Sequence, residues 1–357
     1  MKPILFASLA ILIACAATRA DEPVQSELTR NAQEPVQEAQ GLELVENLQD
    51  QVAKWMEENL TEEQISQLPQ FDREQFVTFF QPVIDSLAAD DFEAMATIRE
   101  HAAHGLALLR ANPLGASYAD WLEARMDYLD VAVEVARTWR EQWEKERTEE
   151  IARRERELEA FRRNGTPIVK RPTPRPEDVK LRIERSAGSD ETWRRKVATR
   201  PAPAAAARYV PQLKKVFAAE GVPPELVWIA EVESSFNPKA QSPVGARGLF
   251  QFMPATAKHY GLSTFPFDER TNPEKSARAA AQYLKVLHRR FNDWPLALAA
   301  YNAGEGRVGR LLERHKARDF ESIAPRLPAE TRLYVPKVLA TVAAREGIEA
   351  RSLPAPR

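Results

Sequence analysis

Leu122, Met126, Leu129 and Val133 recur at spacings of four, three and four, which places them on one face of a helix, and Trp139 and Trp143 continue an apolar edge. Helical patterning of this kind begins at Leu42. Residues 144–163 are mostly charged, and the pairs Glu149 with Arg153 and Glu150 with Arg154 are oriented for i,i+4 support, so this stretch predicts a protruding solvated helix. Asn164-Gly165 supplies its C-cap. Pro167, Pro172, Pro174 and Pro176 follow among basic residues, the composition of an extended tether, in which Lys170, Arg171, Arg175 and Lys180 form a solvated basic patch. From Ala202 the helical pattern resumes. Pro223-Pro224 starts a short helix through Glu233, and Asn292-Asp293 before Pro295 starts another that stops at Gly304. No run of alternating strands is present, so the fold class is all-α. The expected organisation is a helical region over 41–163, a linker over 164–200, a second helical domain over 201–347 and a tail over 348–357.

Composition sharpens this picture. The 357 residues suffice for roughly two domains at about 150 residues each. Lys plus Arg number 50 against 52 Asp plus Glu, a near balance that speaks against a nucleic-acid binder with a strong basic field. One cysteine allows no internal disulfide and no four-thiolate zinc site. Glycine is scarce, which argues against an all-β chain of tight turns, and eight of the 13 glycines fall after residue 220. Backbone conformations that need glycine are therefore concentrated in the last third.

The first 20 residues are expected to be an export signal: one lysine, then an almost wholly apolar run from Ile4 to Ala17, then the polar Thr18-Arg19-Ala20-Asp21. The run is too short to span a bilayer and nothing later compares with it, so no transmembrane segment is expected. Two processing routes are open. One is cleavage after Ala20; the other is lipidation at Cys15, within the lipobox-like Leu12-Ile13-Ala14-Cys15. Residues 21–40, rich in Gln, Glu and Pro, are expected to be disordered.

Candidate chemistry begins with the helix Glu225–Glu233. At 100° per residue from Leu226, Ile229 falls at about 300°, Ala230 at about 40° and Glu233 at about 340°, so Glu233 lies in the middle of the most apolar face. Glu231 points elsewhere. Desolvation disfavours the charged form of such a carboxyl and raises its pKa towards the range of a general acid, although a buried Glu can also serve a structural ion pair.

The residues that follow narrow this choice. The string EVESSFNPKAQSPVGARGLFQFMPATA, with Ala300-Tyr301-Asn302-Ala303-Gly304 and Glu330-Thr331-Arg332-Leu333-Tyr334-Val335-Pro336-Lys337, resembles the lytic transglycosylases of the soluble-transglycosylase, goose-lysozyme-like superfamily. The resemblance covers about residues 205–345, with the motifs in the family's order. The GEGRV segment and the ETRLYVPK ending are most similar to the membrane-bound lytic murein transglycosylase D branch. It implies a lysozyme-like catalytic domain behind a separate helical region. It also implies an enzyme that cleaves the β-1,4 bond between N-acetylmuramic acid and N-acetylglucosamine in peptidoglycan without water, leaving 1,6-anhydromuramoyl ends. Glu233 would be the sole acid and base. Ser242, Gln251, Met253, Tyr301, Asn302, Glu330 and Tyr334 match substrate-binding positions. A core role for Tyr301 and a structural ion pair for Glu330 stay open beside this. Phe250 departs from the Met or Trp usual at its position. The expected partner is the peptidoglycan glycan strand in the periplasm or envelope; no cofactor, metal or nucleic acid is expected.

Two other patterns are set aside. Gly304-Glu305-Gly306-Arg307-Val308-Gly309 fits a dinucleotide fingerprint but follows a helical segment instead of a strand. His101 and His104 lie one turn apart without a further ligand signal. The alternatives in view are a muramidase that hydrolyses the same bond on the same fold, and an idle glycan-binding scaffold. No motif assigns a role or protein partner to residues 21–200.

Overall fold

The computed structural model describes residues 73–89, 91–111, 115–169, 172–187 and 190–357. The expected export signal with Cys15, the segment 21–40 and the first part of the helical region lie outside the described residues. Among the described residues, secondary structure is helical, apart from the isolated bridges Gln241 to Arg247 and Arg247 to Phe252. No described helix is long and apolar enough to cross a membrane.

Helices α1 (Arg73–Ala88), α2 (Phe92–Ala111) and the 49-residue α3 (Ala116–Asn164) build the N-terminal layer. The buried seam of α3 runs through Trp121, Leu122, Arg125, Tyr128, Leu129, Ala132 and Val135. Val133, expected on that face, is instead 40% exposed. The seam advances by three and four from Trp121, which puts Ala132 inside and turns its neighbour out. Beyond Val135 the helix becomes charged as expected. Glu150 pairs with both Arg153 (2.6 Å) and Arg154 (2.7 Å), and Gly165 closes the helix in a left-handed C-cap.

The stretch 164–200 differs from the expected tether. It contains α4 (Pro176–Ala187) and α5 (Asp190–Ala198), whose Val179 and Trp193 are buried. Pro176 sits at the first position of α4, where a missing N–H costs nothing, and Glu177 and Asp178 suit the helix N-terminus. Prolines that signalled extension thus open a helix, and Val179 on α4 and Trp193 on α5 tie the stretch down.

The C-terminal region follows the expected pattern closely. After α6 (Ala206–Ala219), a 3-10 turn (Pro224–Trp228) leads into α7 (Ile229–Ser234). The single α-helix expected to end at Glu233 is therefore two pieces. Then come α8 (Pro254–His259), α9 (Pro273–Phe291), α10 (Trp294–Ala303), α11 (Glu305–His315), the short α12 (Phe320–Ile323) and α13 (Ala329–Glu346). Asp293 caps α10 by accepting from the Leu296 N–H, and Gly304 ends it. Helix α11 carries the dinucleotide-like string directly after another helix, so no strand-turn-helix is formed there.

Helix α13 joins two cores. Tyr334, Val335, Val338, Leu339 and Val342 belong to the C-terminal core with Phe217, Leu226, Ile229 and Leu284. Ala329, Leu333 and Ala340 belong to the N-terminal core with Phe80, Leu122, Tyr128 and Trp193. The two regions are therefore packed layers that share a helix. Trp193 is fully buried and meets Tyr128 edge-on at 5.8 Å. Replacing Trp193 with Ala should cost about 3–5 kcal/mol of stability in a denaturant titration, the range for truncating a core aromatic; a flexible tether would lose almost nothing.

Candidate active site

Glu233 sits on the last turn of α7, a helix whose other residues, apart from Glu231, are also buried. Glu231 faces away and pairs with Arg345 at 2.7 and 2.9 Å. The side chain of Glu233 is 5% exposed. Tyr334 donates its hydroxyl to Glu233 Oε1 at 2.8 Å, and Arg125 Nη2 lies 3.9 Å from Oε2. Burial pushes the carboxyl up to about 7, against the opposing pull of Arg125 and the Tyr334 hydrogen bond. The same burial, together with the charge of Glu233, raises the hydroxyls of Tyr301 and Tyr334 well above the ordinary tyrosine value.

The chain leaves α7 through two residues with positive φ, Ser235 at 50° and Phe236 at 60°. The Ser234 hydroxyl donates to Leu249 O at 2.9 Å and so fastens the helix end to the loop that returns over it. In that loop Gly248 has φ 86°, and a Cβ there would stand 2.0 Å from Arg270 O, so only glycine fits. Arg270 in turn donates to Gly245 O (2.7 Å) and Phe252 O (2.9 Å) and pairs with Asp268. A fixed loop results, held by backbone acceptors on an arginine fork.

Gln251 sits in this loop at φ 47°, a conformation that costs a non-glycine residue on the order of 1 kcal/mol. Its Nε2 donates to Ala240 O (3.2 Å) and Gly248 O (2.9 Å), which sets the amide orientation. Its buried Oε1 accepts no hydrogen bond among the described residues. Ser242 is buried, and its Oγ accepts from the Ala246 N–H at 2.7 Å within the turn. Met253 is exposed at the edge of α8. Phe250 is fully buried against Phe217, and its carbonyl accepts the Tyr301 hydroxyl at 2.8 Å.

Tyr301 and Asn302 stand on the last turn of α10. Tyr301 continues into a row of rings, with Tyr283 at 5.3 Å and Tyr260 a further 5.1 Å away. The Asn302 Oδ1 accepts from Thr331 Oγ1 at 2.6 Å, which links α10 to α13. Glu330 accepts from Arg125 Nε at 3.1 Å. The structure thus gathers Glu233, Tyr301, Tyr334 and Glu330 around one buried carboxyl, and places Gln251 in the loop fastened to its helix. Glu330 forms an ion pair, the structural alternative kept open for it, while Ser242 and Met253 touch neither Glu233 nor Glu330 within hydrogen-bonding range among the described residues.

Sequence reasoning did not single out Arg125, although an arginine one turn after Trp121 on a buried seam is the available signal. Lys337, also buried, donates to Ala124 O at 3.0 Å and lies 3.3 Å from Asp127.

A buried carboxyl lifted to a pKa of about 7 within a helical region is the class of site defined here. Residues 214–324 match the sequence model of the family described as Transglycosylase SLT domain, so the similarity to lytic transglycosylases is established over this segment. Membrane-bound lytic murein transglycosylase D of Escherichia coli (strain K12) is 43% identical over 135 residues, which are 36% of this chain and 28% of that protein. The putative tributyltin chloride resistance protein of Alteromonas sp. (strain M-1) is 42% identical over 97 residues, 27% of this chain and 47% of its own length. The soluble lytic murein transglycosylase of Escherichia coli (strain K12) is 39% identical over 120 residues, 31% of this chain and 19% of that protein. The chain therefore spans less than half the length of these relatives. The solved 70 kDa soluble lytic transglycosylase of Escherichia coli overlays 89% of this chain and 62% of its own at 24% identity, with a TM-score of 0.35.

Because folding lifts the Glu233 carboxyl from its ordinary value of 4.5 to about 7, the folded protein holds a proton that the unfolded chain releases. That contribution to stability is present below about pH 4.5 and is lost as pH rises through about 7. Glu233→Gln, which carries no charge at any pH, should therefore gain stability over wild type at pH 8, by roughly 2–4 kcal/mol more than at pH 4. Urea midpoints of both proteins at the two pH values provide the check; an equal difference at both would contradict the buried-acid reading.

Proposed function

We propose that this protein is a peptidoglycan lytic transglycosylase that cleaves the β-1,4 bond from N-acetylmuramic acid to N-acetylglucosamine by internal transfer. The observation that carries this reading is Glu233: a desolvated carboxyl with a pKa of about 7, in a segment similar to lytic murein transglycosylases. At neutral pH it holds the proton that the leaving oxygen needs. In the proposed reaction Glu233 gives that proton to the glycosidic oxygen as the bond to the anomeric carbon breaks. The muramic acid 6-hydroxyl then attacks that carbon and returns its own proton to the Glu233 carboxylate. The acid is regenerated and no water is consumed.

A single carboxyl suffices because the nucleophile belongs to the substrate. Most glycosidases need a second carboxylate to act as nucleophile or to activate water. A hydroxyl on the same sugar has a high effective molarity, and a dry site favours it over bulk water. The other assigned residues divide into two roles in this reading. Tyr334 holds the carboxyl in place, and Tyr301, with Tyr283 and Tyr260 behind it, presents rings suited to sugar faces. Gln251 Oε1 and Asn302 provide amides that suit N-acetyl and hydroxyl groups, Met253 gives an exposed apolar edge, and Ser242 keeps the Gln251 loop in shape. Glu330 flanks the acid through Arg125.

The substrate implies an envelope location. The apolar start of the chain fits export, with cleavage after Ala20 or lipidation at Cys15 as the two routes. The test is digestion of purified sacculi by the full chain and mass analysis of the released muropeptides. Anhydromuramoyl ends are expected, with turnover lowered at least about 100-fold in Glu233→Gln. Reducing ends would identify a muramidase instead, and full activity in Glu233→Gln would dismiss this acid.

A further inference from the structure

Arg125 lies on α3, ahead of the segment that matches the transglycosylase family, yet its guanidinium stands between two carboxyls of the site. Its Nε donates to Glu330 Oε1 at 3.1 Å, Nη2 is 3.9 Å from Glu233 Oε2, and Nη1 donates to Trp121 O at 3.3 Å. The guanidinium also stacks over the Trp121 ring at 4.5 Å. With side chains 10% and 5% exposed, Arg125 and Glu233 interact with little water between them to screen the charge.

We propose that Arg125 is a positioning residue of this active site: it holds Glu330 and sets the field in which Glu233 gives up and recovers its proton. The N-terminal helical layer is on this view a working part of the catalytic centre. The inference rests on Glu233 being the acid, as argued above.

Two hydrogen-bond acceptors, an ion-pair partner and a tryptophan face suit a planar fork of donors and not a lysine. The position of α3 is itself fixed to the site. Asn237 donates to Asp120, the Gln241 N–H donates to Ser117 O at 3.1 Å, and Gln241 Nε2 donates to the Tyr118 hydroxyl at 3.0 Å. The stretch that follows Glu233 is therefore clasped by the first turns of the helix that presents Arg125.

The groups that act on Glu233 come from three helices. Helix α3 brings Arg125 and Tyr128, α10 brings Tyr301, and α13 brings Glu330, Tyr334 and Lys337. Lys337 is held by Asp127 and Ala124 O, whereas Arg125 is the cation within 4.0 Å of Glu233 among the described residues. Burial and the negative charge of Glu330 both oppose ionisation of Glu233; Arg125 opposes them. Without that cation the acid would keep its proton to higher pH and would be a poorer donor to the glycosidic oxygen. A carboxyl that must serve as acid and then as base needs a midpoint near the working pH.

The experiment is a carboxyl 13C NMR titration of the full chain labelled at glutamate, with the Glu233 resonance assigned by its absence in Glu233→Gln. In Arg125→Met or Arg125→Gln the Glu233 midpoint should rise by about one unit or more, and the alkaline limb of kcat/KM should move with it. Arg125→Lys, which keeps the charge, should move it less. Glu330→Gln should lower the midpoint, because a negative neighbour is gone and Arg125 is left to Glu233 alone. An unmoved midpoint in a folded Arg125→Met or Arg125→Gln protein overturns the proposal. Should neither neutral variant fold, an unmoved midpoint in Glu330→Gln does so. Loss of activity in Glu233→Gln with an unmoved Arg125→Met midpoint would defeat this inference alone; retained activity in Glu233→Gln would defeat the underlying assignment instead.

Discussion

From Thr331 to Val342, α13 has no exposed position. A helix enclosed on every side must be covered by layers on every side, and the rest of the architecture follows from that requirement. The C-terminal helices cover one side and α1, α2, α3 and α5 cover the other. Polar groups on such a helix are expensive unless each finds a partner. Glu330, Tyr334 and Lys337, at spacings of four and three, form one polar stripe on it. Each is matched: Glu330 by Arg125, Tyr334 by Glu233, and Lys337 by Asp127 and Ala124 O. Three of the four partners come from α3, so the stripe cannot be satisfied by the C-terminal region alone.

The same enclosure gives Glu233 its character. Desolvation is the largest influence on it and raises its pKa; Arg125, Tyr334 and Lys337 oppose it, and Glu330 adds to it. The outcome, about 7, lies between a carboxyl that never ionises and one that is never protonated near neutrality. Both forms are then accessible near neutral pH. Burial here comes at the expense of stability, since above neutral pH the fold must hold a charge that it has desolvated.

Much of this was legible in the chain. The caps of α10 and the end of α3 were readable from Asp293, Gly304 and Gly165, because capping is a local matter of side-chain acceptors and glycine φ. Glu233 was found by helical phase, although the 3-10 turn at Pro224–Trp228 breaks the continuous wheel on which that phase was counted. Its burial stands because almost all of α7 is buried. What local pattern did not disclose is tertiary. The segment around α4 and α5 has the composition of a tether, and its buried Val179, Trp193 and Val197, which only tertiary packing reveals, make it part of the fold. Arg125 was not singled out, since its partner Glu330 is 205 residues away in the chain. Val133 was misplaced because either of two adjacent residues on α3 satisfies an apolar spacing, and only packing chooses between them.

In the proposed reaction the substrate's own hydroxyl, and not water, attacks the anomeric carbon while Glu233 gives and recovers the proton. The most direct measurement is cleavage of glycan strands in 18O-labelled water followed by mass analysis of the new muramoyl ends. Transfer without water predicts ends free of solvent oxygen, and lighter by one water than hydrolysed ends. New ends carrying one 18O atom each would show that water attacks the anomeric carbon, and would contradict the claim that a single buried carboxyl suffices because the nucleophile is internal.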